Sequence, residues 1–213
     1  MKNYRLYLFD FDYTLANSEA GIIGCFRHVF EKNGHMGIDP EAIKRTIGLP
    51  LLEEFRLLTG VRDEETLERY RSEFTLKANE IMTARTELFP QTLPMLKRLK
   101  EKGAKTGIVS TKQRFRIQET IEKYALQELI DFVVGIADVE EPKPNPQGIF
   151  LALTHFAVDK SEALYIGDST IDAEAGKNAG VDFAAVLTGA TKREEFETFP
   201  YVKLMETFDE LSG

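Results

Sequence analysis

The chain has 213 residues, 43% of them hydrophobic, which suits one α/β domain or one core domain carrying an insertion. A formal net charge of −8 and a pI near 5.1 exclude a protein that holds nucleic acid by neutralising phosphates with a basic face. The single cysteine, Cys25, rules out an internal disulfide and fits a reducing compartment. Met1 to Arg5 pass directly into an apolar stretch, so no signal peptide is expected, and no apolar run is long enough to span a bilayer. The expectation is a soluble cytoplasmic protein with neither a membrane nor a nucleic-acid partner, as monomer or homodimer.

Leu6 to Phe9 is an apolar, aromatic-rich run of the kind found in buried strands, and it ends in Asp10-Phe11-Asp12-Tyr13-Thr14. Leu15 to Ser18 is a short link, with Ser18 placed to cap a helix. Glu19 to Lys32 carries Ile22, Ile23, Phe26, Val29 and Phe30 at helical spacing and stops at Asn33-Gly34. Asp39-Pro40 starts another helix, Gly48-Leu49-Pro50 breaks it, Leu51 to Leu58 resumes it, and Asp63 opens a long amphipathic stretch to about Thr83. None of these pieces resembles a strand, so residues 16–85 are expected as a helical insertion into a core formed by residues 1–15 and 86–213.

The second half alternates. Helices are expected over Pro90 to Lys102, Arg114 to Tyr124, Asn145 to Phe156 and Thr170 to Ala179. Strands are expected over Lys105 to Val109, Phe132 to Val134, Ala163 to Ile166 and Phe183 to Val186. A last edge strand around Val202 and Leu204 is followed by a helical tail from Glu206. Repeated β-then-α units imply a doubly wound, Rossmann-like parallel sheet with helices on both faces.

Ligands of such sheets bind beyond the carboxyl ends of the strands. Three apolar strands here end in small polar or acidic residues: Asp10 with Asp12, Ser110, and Asp168. Carboxylates two apart on an extended chain face one space, and so close a pair needs a cation between them or a proton on one. Lys143, clamped by Pro142, Pro144 and Pro146, has a backbone stiff enough to fix where its ammonium points. Asp172 lies one helical turn beyond Asp168.

In order and placement, Asp10 to Thr14, Ser110, Lys143 and Gly167 to Asp172 resemble the four motifs of the haloacid dehalogenase-like hydrolases, over essentially the whole chain. Pro90, Thr92, Leu96, Leu99 and Lys100, with Lys143-Pro144-Asn145-Pro146, are similar to the subgroup of phosphoglycolate phosphatase, bacterial pyrophosphatase and β-phosphoglucomutase, in which a helical cap follows the first motif. The resemblance implies a small phosphorylated substrate, with Asp10 as nucleophile and Asp12 as acid and base oriented by Thr14. It implies Mg²⁺ held by Asp10, the Asp12 carbonyl and Asp168, with Asp172 supporting the metal or Lys143. Ser110 and Lys143 would grip the phosphoryl oxygens, assisted by the backbone N–H groups of Phe11 and Thr111, while Arg45 in the cap would take part in choosing the substrate. A phosphatase is the first reading, a phosphomutase sharing the same core the second, and a non-catalytic binding protein the third.

Some residues depart from the subgroup or fall outside its motifs. Tyr13 stands where the subgroup usually has glycine, Asn17-Ser18 replaces Asp-Ser, and Thr188-Gly189 replaces Trp-Gly. His28, His35 and His155 lack ligand spacing, Cys25 reads as a small core residue, and Lys97, Arg98, Lys100, Lys102 and Lys105 read as a solvated helix end. Phe26, Phe30, Phe55 and Phe74 read as packing within the helical insertion.

Overall fold

Alternation along the first strand sets the layers of the molecule. Leu6 and Leu8 face one way and Tyr7 and Phe9 the other, and all four are buried, so both faces of the sheet must be covered. The computed structural model describes residues 2–211. In chain order the strands are β1 (Leu6–Phe9), β2 (Ala16–Asn17), β3 (Glu87–Leu88), β4 (Lys105–Val109), β5 (Phe132–Val134), β6 (Ala163–Gly167), β7 (Asp182–Val186) and β8 (Lys203–Met205). The helices are α1 (Glu19–Lys32), α2 (Pro40–Lys44), α3 (Leu51–Thr59), α4 (Glu64–Ile81), α5 (Thr92–Glu101), α6 (Arg114–Lys123), α7 (Gln147–Phe156) and α8 (Thr170–Ala179).

Six strands form one parallel sheet in the order β5-β4-β1-β6-β7-β8, so β1 is central, paired through Phe9 with Ile108 of β4 and Ile166 of β6. Tyr7, Phe9, Ile108 and Ile166 pack towards α5, α6 and the turn Phe208–Glu210, where Phe208 meets Phe9 edge-on at 6.0 Å. Leu6, Leu8, Val109 and Tyr165 pack towards α7 and α8. The result is a Rossmann-like α/β fold with a helical layer on each face. Each fully buried phenylalanine contributes about 1.5–3 kcal/mol, and Phe9 and Phe183 anchor the two sides.

Helices α1 to α4 carry a separate apolar cluster in which Phe26 contacts Phe55 and Phe74 at 5.0 and 5.1 Å between ring centres. Cys25 and Ile43 are fully buried there, and His35 is bonded to the Tyr70 hydroxyl at 2.7 Å. Burial pushes the Cys25 thiol up to about 12, so it stays a neutral packing group. The helices leave and rejoin the core through β2 and β3, which pair antiparallel. The rejoining end is gripped by α6. Arg116, itself buried, bonds Asn79; Thr83 bonds Glu119; and Lys123 donates to the carbonyls of Thr83 and Thr86 at 2.9 and 2.8 Å.

Several local expectations change. Residues 16–17, read as a link, form the short strand β2, because Ala16 finds Leu88 as a partner. Ser18 stands at the N-cap of α1 but gives its hydroxyl to Asp12 rather than to a backbone N–H. The last strand begins at Lys203, leaving Val202 outside it, and the tail is a single 3₁₀ turn because the Thr207 and Glu210 side chains cap it at once. Lys100, read as solvated, is paired with Asp131, whose carboxylate also accepts from the Thr106 N–H at 2.9 Å. Burial works against the Asp131 charge, yet Lys100 and the Thr106 N–H outweigh it and hold the carboxyl below its ordinary value.

A folded-state value below the unfolded one stabilises the fold above the unfolded pKa, near 3.9, and is lost as pH falls through the folded value. Asp131→Ala is therefore expected to cost about 1–2 kcal/mol at neutral pH in urea unfolding. The difference from the parent should shrink below about pH 4.

Candidate active site

A parallel sheet delivers all its strand ends to one edge. Because β4, β1 and β6 are adjacent, Ser110, Asp10 and Asp168 emerge side by side. The Asp10 N–H donates to Ile166 at 2.9 Å and the Ser110 N–H to Val134 at 3.0 Å, so both backbones are fixed by the last rungs of the ladder. Asp168 follows β6 directly, and Ser169 caps α8 in a reciprocal box with Asp172, which turns the Asp172 carboxylate back towards the strand ends.

Asp10, Asp168 and Asp172 are buried, and each offers a carboxylate oxygen within 4.8 Å of the others. Lys143 lies among them, with Nζ 2.8 Å from Asp10 Oδ1 and 2.6 Å from Asp172 Oδ1. The Asp172 carboxylate is well satisfied, accepting also from the Tyr165 hydroxyl at 3.0 Å and the Ser169 hydroxyl at 2.6 Å. Asp10 Oδ1 is not: it is fully buried and, although Lys143 is close, no donor is aligned with it. The contact with Lys143 is an ion pair that does not meet hydrogen-bond geometry.

Burial, partly opposed by Lys143 and reinforced by Asp172, pushes the Asp10 carboxyl up to about 6. Burial, then repulsion from Asp172 and Asp10, pushes Asp168 well above the carboxylate range, with Thr14 opposing. Burial works against the Lys143 charge, but Asp10 and Asp172 more than offset it and hold that ammonium firmly protonated. Acids pressed together in this way are short of positive charge. An oxygen-only donor set with one orphaned oxygen fits a hard divalent cation such as Mg²⁺, and Asp10, Asp168 and Asp172 are the side chains placed to hold it.

Asp12 takes other partners. The chain turns sharply after Asp10, with Tyr13 at φ 58°, so the two-residue alternation of a strand no longer applies. The Asp12 carboxylate receives Lys112 Nζ at 2.8 and 3.1 Å and the Ser18 hydroxyl. It remains close enough to add to the repulsion on Asp10. Thr14, expected to orient Asp12, donates instead to Asp168 at 3.1 Å. Its hydroxyl therefore steers the third acid, because the turn carries residue 14 across to β6.

Ser110, Thr111, Gly135 and Lys143 line one narrow cleft. Phe11 is buried in the core, and its carbonyl accepts from the N–H groups of Leu15 and Ala16 at 3.0 and 3.1 Å. Thr111 uses its hydroxyl to reach Gly48 of the helical segment at 2.9 Å. Arg45 is exposed at the end of α2 and has no carboxylate partner among the described residues. Tyr13 holds the left-handed turn that glycine would favour, its ring buried among the helices and its hydroxyl donating to Glu19 at 2.9 Å, while Thr188 donates to its carbonyl.

Sequence reasoning missed Lys112, Glu54 and Tyr165, and it placed Gly189 in a departure from the subgroup without giving it a role. Lys112 stands two residues beyond Ser110, and that spacing was the available signal. Glu54 is buried on α3, where burial and the nearby Asp12 charge raise its pKa well above the usual range, with Thr46 and Lys112 opposing. Gly189 admits the Asp168 carboxylate: a Cβ there would lie 1.8 Å from Asp168 Oδ2.

Comparison with known proteins points the same way. A family model described as haloacid dehalogenase-like hydrolase matches residues 7–186. Pyrophosphatase PpaX of Halalkalibacterium halodurans is 35% identical over 181 residues, spanning 84% of this chain and 81% of that one. The PpaX of Bacillus velezensis is 30% identical over 215 residues, spanning 100% and 98%. A solved structure described as a haloacid dehalogenase-like hydrolase from Bacteroides fragilis superposes with a TM-score of 0.97 at 45% identity, covering 99% of this chain and 100% of the other. A solved structure described as a phosphatase from Clostridium acetobutylicum, covering 99% and 97%, has a TM-score of 0.89 at 21% identity, a likeness of fold.

Gly189→Ala is expected to displace Asp168 while leaving the sheet intact. Calorimetric affinity for a divalent cation should fall at least about tenfold, the usual scale for disturbing a ligand or its support, with the far-UV circular dichroism unchanged.

Proposed function

This chain belongs to the haloacid dehalogenase-like hydrolases, and from that premise we propose that it is a Mg²⁺-dependent phosphatase working through an aspartyl-phosphate on Asp10. Its substrate is a small phosphorylated metabolite, with pyrophosphate the first candidate because the relatives of about a third identity are named as pyrophosphatases. The observation that carries the reading is the buried, incompletely satisfied Asp10 carboxylate at the end of the central strand, beside Asp168, Asp172 and Lys143.

Residues 1–15 and 86–213 form the catalytic core, and residues 16–85 act as a cap that shields the site from bulk water. Ser110 and Lys143, with the N–H groups of Phe11 and Thr111, hold the non-bridging oxygens of the phosphoryl group. An Asp10 carboxylate oxygen attacks phosphorus, the bond to the leaving oxygen breaks, and Asp12 gives that oxygen its proton. Asp12, now ionised, takes a proton from water, which attacks the aspartyl-phosphate, releases orthophosphate and restores Asp10. Asp10, the Asp12 carbonyl and Asp168, with Asp172 in support, would hold the divalent ion, which when bound would supply positive charge between nucleophile and substrate. Lys143 supplies the second positive charge at the same place. Arg45, at the exposed end of α2, is available to the substrate from the cap side.

Phosphate release from a panel of pyrophosphate, phosphoglycolate and sugar phosphates tests this reading. Asp10→Asn should abolish turnover and Asp12→Asn should lower it by about 10²–10⁴-fold. EDTA should silence the enzyme until Mg²⁺ is returned. Near-parental rates for Asp10→Asn would overturn the assignment.

A further inference from the structure

Two buried ammonium groups serve this site, and only one has work in holding the transferred phosphoryl. Lys143 is committed to Asp10 and Asp172. Lys112 stands on the other side, its side chain 8% exposed, with Nζ 2.8 Å from Asp12 Oδ1 and 3.1 Å from Asp12 Oδ2. Its backbone is pinned to the core: the Lys112 N–H donates to the Ser110 hydroxyl at 3.3 Å, and its carbonyl accepts from Ile136 at 3.1 Å. The Phe11 ring lies 5.6 Å from the ammonium and walls off one side. Lys112 is thus a fixed feature of the core loop after β4.

In the reaction above, Asp10 lies on one side of phosphorus and the leaving oxygen, in line, on the other. Asp12 protonates that oxygen, so the leaving group sits against the Asp12 carboxylate and within reach of the ammonium that grips it. An ammonium has three donors, and the Asp12 carboxylate takes at most two of them. Whatever the leaving group carries next to its bridging oxygen therefore meets a buried cation with a donor to spare. Glu54, the other acid that Lys112 faces, lies buried on α3, where burial and the Asp12 charge raise its pKa.

We propose that Lys112 reads the leaving group and selects substrates in which that group bears its own anionic charge: a phosphoanhydride such as pyrophosphate, or a phosphate ester of a small hydroxy acid. This rests on the phosphatase reading and adds the substrate class. An uncharged alkyl leaving group leaves the Lys112 donor unmatched. An anionic one gains a charge-assisted hydrogen bond in a site shielded from water, a difference of about 10–100-fold.

The test compares kcat/KM for pyrophosphate and phosphoglycolate with that for ethyl phosphate, whose leaving group matches glycolate without the carboxylate, in the parent, Lys112→Met and Lys112→Arg proteins with Mg²⁺. Removing the partner of Asp12 should slow all three substrates. The expected signature is a further loss of at least about tenfold on the two anionic-leaving substrates in Lys112→Met, most of it restored in Lys112→Arg. Equal losses on all three would assign Lys112 to Asp12 alone and overturn the proposal, as would no loss at all. If the parent turns over none of the three, the phosphatase reading fails by itself. Lys112 is then judged by calorimetric binding of imidodiphosphate against orthophosphate. A loss of affinity in Lys112→Met confined to imidodiphosphate supports the inference, and any other result overturns it.

Discussion

The arrangement depends on one buried ammonium. Lys143, brought in by a proline-rich connector, stands between Asp10 at the end of β1 and Asp172 in the first turn of α8, with Asp168 alongside. Three carboxyl groups under the protein surface would otherwise repel one another at a cost of several kcal/mol. Even with the lysine present the balance stays negative, as the upward pressure on Asp10 and Asp168 shows. The core tolerates this because the acids sit at the open edge of the sheet, where a ligand can supply what is missing. Stability and chemistry are set by the same charges.

The fold was legible because its signals are local. The strand over Lys105–Val109 and the helices over Glu19–Lys32 and Thr170–Ala179 have the bounds that periodicity and capping residues predict. What escaped were pieces defined by contacts far away in sequence. The strand at Ala16–Asn17 exists only because Glu87–Leu88 lies beside it, and Lys100 is held only because Asp131 arrives from another connection. A window of sequence carries neither fact.

The site divides along the same line. Asp10, Ser110 and Asp168 could be placed from strand ends alone, since a parallel sheet aligns them whatever the loops do. Thr14 and Asp12 could not, because the turn at Tyr13 swings their side chains to partners 154 and 100 residues away, Asp168 and Lys112. The same turn explains why a glycine is usual at position 13 and what tyrosine gains there. Its ring is buried among the helices, and that packing offsets the roughly 1 kcal/mol cost of the left-handed conformation.

The helical segment is moored unequally. At its rejoining end α6 fastens it through Arg116, Thr83 with Glu119, and the lysine that spans the carbonyls of residues 83 and 86. Across the cleft mouth, Thr111 meets Gly48 through a single hydroxyl. The moorings differ in kind as well as number: one end is fastened by charged side chains of α6, while Gly48 is held through its carbonyl alone, a tie that depends on the backbone and not on which side chain stands there.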